Sequence, residues 1–592
     1  MDKNLNFKSY FGCKLIIIIR LIFLFSVVFI LLKSISLSVD YQDQWDLKGL
    51  ELPYIVFIIT YLVYVCFENR LNMIVLFTVV SRLTFCLIPI LKYDFFLGRS
   101  IDQHMQFSLA NFILNYGEIA DKNFLKYSYT VKYYLGVPVL HLSLGIYSII
   151  SGMTLNQSFK YLPVMWNTIY PLLTYYIVKH TVINNNKNVF KYVLFLSSIP
   201  FSLSITYLIT GSLLIFIFSY YILSQVLKII NKKDLKIRDI LIYLVLITAA
   251  ITSHSLFTLH FIVFLLTITF VYDKFLKKIF NRVIYRLFSL SLVMNIWWLA
   301  YQEIPIEMLN KFLRARGISK SITPTFYELY QLNIISTLKI MILYYGVDIF
   351  ITLSISLILV MLILNHKKYE KYKAVYQYMI IMIIALWCLS GIGFILGISN
   401  KYWERVFRMT YLVYPFLYFL FYQELSFTKI KKHVMFGVFA MTIILASVQF
   451  YSPPFLIPAA STVFPDVSSD EPLVYRGRVN SIYQREMVYF AEKYVRGMIA
   501  CDAVTRNQIR GLTDREFSYS YLLRYYPPDK MIFPDIEEKD YRYLLTHLPG
   551  VSGAFEERAI IRSDEVILNM IYDESNNIIY TNGESFILFK LK

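Results

Sequence analysis

Apolar runs of about 20 residues, the length that crosses a bilayer, recur through most of this chain and constrain its fold more than any other feature. Hydrocarbon offers no water to backbone N–H and C=O groups, so such runs must satisfy them internally, as helices. The first, LIIIIRLIFLFSVVFILL (15–32), follows basic residues but has no small-residue cleavage site, and it is long enough to span. It reads as a retained signal anchor with the N-terminus cytoplasmic. Further spans are expected to begin near 52, 71, 161, 190, 208, 239, 256, 283, 345, 374, 409 and 433, giving about 12–13 crossings. Composition agrees: 57% of the 592 residues are hydrophobic and mean hydropathy is +0.53, too apolar for a water-soluble chain of this size.

The net charge of +18 raises the question of a nucleic-acid partner. The Lys and Arg gather instead in short connectors, KIINKKDLKIR (228–238), DKFLKKIFNR (273–282), HKKYEKYK (366–373) and TKIKKH (428–433). That is the pattern of cytoplasmic loops facing anionic lipid, and no nucleic-acid partner is expected. Alternation then puts 92–134, the turn at Ser253 and His254, 302–335, 398–408 and everything after 451 outside. A full crossing by YYLGVPVLHLSLGIYSIISG (133–152) would invert everything downstream, so this stretch is expected to be interfacial or re-entrant. The five cysteines are scattered and form neither a disulfide framework nor a CxxC metal site. No internal repeat is visible.

After residue 451 charged residues become frequent and the apolar runs shorten. Residues 451–592 are therefore expected to form an extracytoplasmic α/β domain, with 1–450 as the membrane domain. NNIIYTNGESFILFKLK (576–592) carries an Asn-Gly between two β-type runs, a hairpin signal. Asn-Gln-Ser at 156–158 matches the glycan-acceptor pattern, which is short enough to arise by chance.

The stretch GRSIDQHMQF (98–107) places an acid and a histidine just outside the third span. Ser100 and Gln103 form a capping box, and Asp102 in the first turn faces the positive end of the helix dipole. Ile101, Met105, Leu109 and Phe112 make an apolar stripe, opposed by His104, Ser108, Asn111 and Asn115. An amphipathic helix lying on the outer surface and ending at Gly117 accounts for all of this without chemistry. Other groups expected at the same membrane face point the other way: Asp94, Arg99, His254 in HSLFTLH, and Arg405 and Arg408 in KYWERVFRM. Carboxylate, imidazole and guanidinium groups meeting there suit general-base activation of an acceptor beside a phosphate. Arg405 and Arg408 equally suit an interfacial anchor. Loop 302–335, with Arg314, Arg316 and Lys320, is either a lid over a donor or a solvated connector. His254 is either a site group or a turn residue that satisfies backbone carbonyls.

In the order of its parts the chain resembles the GT-C superfamily of membrane glycosyltransferases, which includes protein O-mannosyltransferases, aminoarabinose transferases and oligosaccharyltransferase catalytic subunits. It looks most like archaeal members with an external C-terminal domain. The parts are an acidic first external loop (YDFFLGRSIDQHMQFSLANFILNYGEIADKNF), then GVPVLHLSLGIYSIISGMTLNQSFKYLPVMWNTIYPLLTYYIVK, then a span ending in FLSSIPFS. The resemblance implies an all-α polytopic bundle in the cell membrane, with Asp102 as the base, His104 beside it and Asp94 as the competing acid. It implies a polyprenyl-phosphate sugar as donor and a glycan, lipid or protein as acceptor. Two departures are plain: FSLSITYLITGS (201–212) has no second acidic pair, and NIWWLAYQE (295–303) lacks the Asp-Tyr-Gly of the acceptor motif. They point away from en bloc oligosaccharide transfer to asparagine and toward the metal-independent branch, so neither a cofactor nor a metal is expected. The rival readings are a transporter or lipid flippase, which would show repeated halves and charges at mid-membrane, and a non-catalytic envelope scaffold. Charges here avoid the span centres, Arg20 excepted.

Overall fold

The computed structural model describes residues 3–37, 49–92, 101–119, 137–181, 236–254 and 282–301, four strands beyond residue 498, and short pieces elsewhere. Three helices open the chain: α1 (Lys3–Ser36), α2 (Glu51–Phe67) and α3 (Leu71–Lys92). Both α2 and α3 pack against α1 or its partner, and the helical period decides which residues meet. On α1 the buried set is Ile19, Phe23, Ser26, Val27, Ile30 and Ser34, while Leu21, Phe25, Val28 and Leu32 point outward. A helix with apolar residues on its inner and outer faces alike is suited to lipid on the one and protein on the other. The protein face is aromatic: Phe23 has ring centroids of Phe57, Tyr61, Tyr64 and Phe77 within 5.3–6.0 Å. Tyr64 stacks on Phe77 at 4.3 Å, and Phe85 meets Phe57 edge-on at 5.2 Å.

The expected exception, Arg20, is closed off by an acid. Its Nε donates to Glu68 Oε2 at 2.7 Å, and the other carboxylate oxygen caps the turn into α3 by accepting from the backbone N–H groups of Asn69 and Arg70. Arg20 is nevertheless not alone. Arg82 lies at the centre of α3, fully buried, donates to Asn167 Oδ1 and stands over the Tyr170 ring at 5.3 Å. The expectation that charges otherwise avoid span centres is corrected here, because Asn167 and the ring supply a polar and π-rich niche that an apolar run in the sequence does not reveal.

Helix α4 (Ile101–Tyr116) is followed by α5 (Val139–Ser151) and α6 (Leu155–Thr181). The last two meet at 105°. Local chemistry builds that corner. Gly152 takes φ 67°, a left-handed conformation that side chains disfavour, and ends α5. Thr154 and Gln157 then form a reciprocal capping box that starts α6: the Thr154 N–H donates to Gln157 Oε1 at 3.0 Å and the Gln157 N–H to Thr154 Oγ1 at 3.3 Å. The segment expected to be interfacial or re-entrant is therefore a separate 13-residue helix, too short to span alone. The Asn-Gln-Ser pattern falls in the first turn of α6 with Ser158 buried, so it is not an exposed loop. Pro163 and Pro171 lie within α6, and Asn167 Nδ2 donates to the Pro163 carbonyl at 2.8 Å.

Helix α7 (Ile237–Ser253) packs on α5 and on α8 (Arg282–Tyr301), the latter through a 3.0 Å hydrogen bond between the Tyr243 and Ser291 hydroxyls. Among the described residues two helices are long and apolar enough to cross a membrane, Lys14–Ser36 and Leu71–Lys92, and the bent α5–α6 pair makes a third if it acts as one span. Most of the other expected spans lie outside the described residues.

Near the C-terminus β1 (Ile499–Cys501), β2 (Tyr543–His547), β3 (Asn576–Thr581) and β4 (Ser585–Lys590) form one sheet in the order β1-β2-β4-β3. β3 and β4 pair antiparallel across the Asn-Gly signal, as the sequence leads one to expect, with an irregularity between Ile578 and Tyr580. β1 runs parallel to β2, which requires a crossover connection rather than a hairpin.

Candidate active site

Helix α4 carries the expected acid. It begins at Ile101, so Asp102 and His104 stand in its first turn, while the expected cap Ser100 lies outside the described residues. Its other end is also where the sequence puts it: Gly117, at φ 73°, donates its N–H to the Ile113 carbonyl at 2.8 Å. Two residues on a helix are about 200° apart, so Asp102 and His104 occupy opposite faces. Asp102 shares its face with Gln106, Leu109 and Ile113, at steps of four, seven and eleven residues.

Of the apolar stripe expected on this helix, Leu109 is buried and Phe112 half-buried, while the side chains of Ile101 and Met105 lie outside the described residues. Among the described side chains of α4 the buried ones are Gln106, Leu109, Ala110 and Ile113, a set that includes a polar amide. The reason is tertiary: α4 packs on both α5 and α6, with Phe107 against Phe159 at 5.1 Å, and its buried amide has a partner. That partner is His141 on α5, whose Nδ1 lies 3.0 Å from Gln106 Oε1. His141 and Gln106 were not among the residues singled out from sequence, although a lone histidine in the apolar stretch GVPVLHLSLG is the signal that marks it.

His254 ends α7 and is buried. The Ala250 carbonyl at this turn accepts from the His254 backbone N–H at 3.1 Å and from the Thr258 hydroxyl at 2.8 Å, and the same hydroxyl lies 2.9 Å from the His254 oxygen. Because α7 packs on α5, His254 belongs to a helix one removed from α4. Asp94, Arg99, Arg314, Arg316, Lys320, Arg405 and Arg408 lie outside the described residues. Within those residues no three ligating side chains gather as a metal site would require.

No known protein family matches the sequence, and no curated protein does. Solved structures match it. The oligosaccharyltransferase of Archaeoglobus fulgidus, crystallised with zinc and sulfate, superposes with a TM-score of 0.52 over 88% of this chain and 73% of its own, at 11% identity. The chain has an oligosaccharyltransferase-like fold. The apo form of the same enzyme matches at 0.49, over 87% and 74%, with 12% identity. At this identity the oligosaccharyltransferase likeness is one of fold alone.

Proposed function

We propose that this protein is a membrane glycosyltransferase that moves one sugar from a polyprenyl-phosphate carrier to an acceptor at the outer face of the membrane, with inversion. The observation that carries the reading is the likeness of fold to an oligosaccharyltransferase over 88% of the chain. Asp102, at the start of a helix held by α5 and α6, acts as general base on the acceptor hydroxyl, with Asp94 as the alternative acid. The hydroxyl oxygen bonds to the anomeric carbon, the carbon–oxygen bond to the carrier phosphate breaks, and the proton goes to the carboxylate. Charge accumulates on the departing phosphate, and Arg405 and Arg408 meet it with bidentate donors, assisted by Arg314 and Arg316 of loop 302–335. Arg99 and His254 line the site. Residues 451–592 form the external domain that carries the sheet.

A metal-assisted version of the same transfer is the second reading, because the oligosaccharyltransferase of similar fold was crystallised with zinc. The ligating residues present on α4 fit it poorly, since Asp102 and His104 occupy opposite helix faces and the 201–212 stretch has no acid. No step is routed through a metal. The test is mass spectrometry of surface glycans and lipid-linked sugars from cells carrying either the intact protein or Asp102→Asn. Loss of one glycosylated species, with its lipid-linked donor accumulating, is expected; identical profiles overturn the reading.

A further inference from the structure

Beside the proposed base lies a buried polar contact that the reaction does not use. His141 is completely buried, and its Nδ1 sits 3.0 Å from Gln106 Oε1. An amide oxygen only accepts, so the Nδ1–H donates; the other ring nitrogen, Nε2, makes no hydrogen bond. Gln106 is buried too and follows Asp102 by one helical turn on the same face. One turn along α5, Gly145 brings the two helices close, since a Cβ there would stand 3.4 Å from Ile113 Cγ2 and 3.9 Å from the Ala110 carbonyl oxygen.

The apolar pattern of α4 does not specify this rotation. By itself it favours the stripe of Ile101, Met105, Leu109 and Phe112, yet the observed face includes a glutamine. Turning α4 by one residue would withdraw Gln106 from His141 and leave two buried polar groups unpaired, a penalty that sliding one apolar contact over another does not carry. We propose that His141 is a positioning residue: through Gln106 it sets the rotation of α4 about its axis and thereby the direction in which Asp102 is presented. This rests on the reading of Asp102 as the base. His141 exchanges no proton with substrate, and its part is to hold the helix.

The experiment uses the full-length chain in membranes, with single cysteines placed in turn at 101–105 and labelled by N-ethylmaleimide. Peptide mass spectrometry separates these sites from the five native cysteines. Labelling follows the helical period, and its phase reports the rotation. The Q106L/H141L double variant removes both polar groups together, so no orphan is left to unfold the protein. It is expected to move the fastest-labelling position and to change the ratio between 102 and 104 several-fold. His141→Asn, which keeps an amide donor near the place of Nδ1, should retain the native phase. An unchanged phase in the double variant, or a shift in His141→Asn as large as in the double variant, overturns the proposal. Retained sugar transfer in Asp102→Asn would remove the base while leaving the labelling result to judge the helix rotation separately.

Discussion

Around Glu68, in the α1–α3 block, the polar groups close on one another. Glu68 takes the Arg20 guanidinium, two backbone N–H groups and the Tyr64 hydroxyl, inside a core of Phe23, Phe57, Tyr61 and Phe77. The α4–α5 contact is different: one hydrogen bond joins Gln106 to His141, an imidazole nitrogen is left over, and one turn along Gly145 lies against Ile113 and Ala110. The first arrangement spends many contacts on holding three helices together. The second joins two packed helices through one buried polar pair, proposed to set the rotation of α4. On the proposed reading, the first contact bears chiefly on stability and the second on where Asp102 is presented.

The sharpest way to break this contrast is Asp102→Asn. Transfer should fall by about 10²–10⁴-fold, the usual worth of a general base, with expression and membrane insertion unchanged. Normal transfer would place the chemistry elsewhere. Glu68→Ala should act in the opposite sense, costing about 3–5 kcal/mol because Arg20 is left charged and unpaired in a buried site, while activity per folded molecule stays intact. A thermal shift in detergent measures it, and a melting temperature like that of the native protein would show the pair to be dispensable. Asn167→Ala should cost about 1–3 kcal/mol, since the buried Arg82 loses an acceptor that no methyl group replaces. Its effect on α3–α6 docking is checked by crosslinking between cysteines on those helices. The smallest effect is expected from EDTA, which should leave transfer within about twofold; a tenfold loss, about 1.4 kcal/mol of barrier, would favour the metal-assisted reading.

Much of the local structure was legible in advance. The apolar runs give α1–α3 their length, Gly117 ends α4, and the Asn-Gly near the C-terminus turns β3 into β4. Each depends only on a periodicity or a single turn residue. The burial of Gln106 on α4 was not legible, because its partner His141 lies 35 residues away on another helix. Arg82 was missed for a related reason: an arginine is tolerated in mid-span only if a partner exists, and Asn167 lies 85 residues away. The corner at Gly152 was written in the sequence as a glycine followed by Thr-x-x-Gln, and it bears on the topology more directly than counting charges does.

By itself, then, the chain determined its membrane-helical character, several of its helix ends and its terminal hairpin, since these follow from the backbone's need to pair its own polar groups in lipid and from the torsion limits of single residues. Tertiary structure alone decided that Gln106 of α4 meets His141 of α5 and that Arg82 meets Asn167. Those outcomes depend on partners distant in sequence, and a buried polar group selects its partner only after the helices have come together.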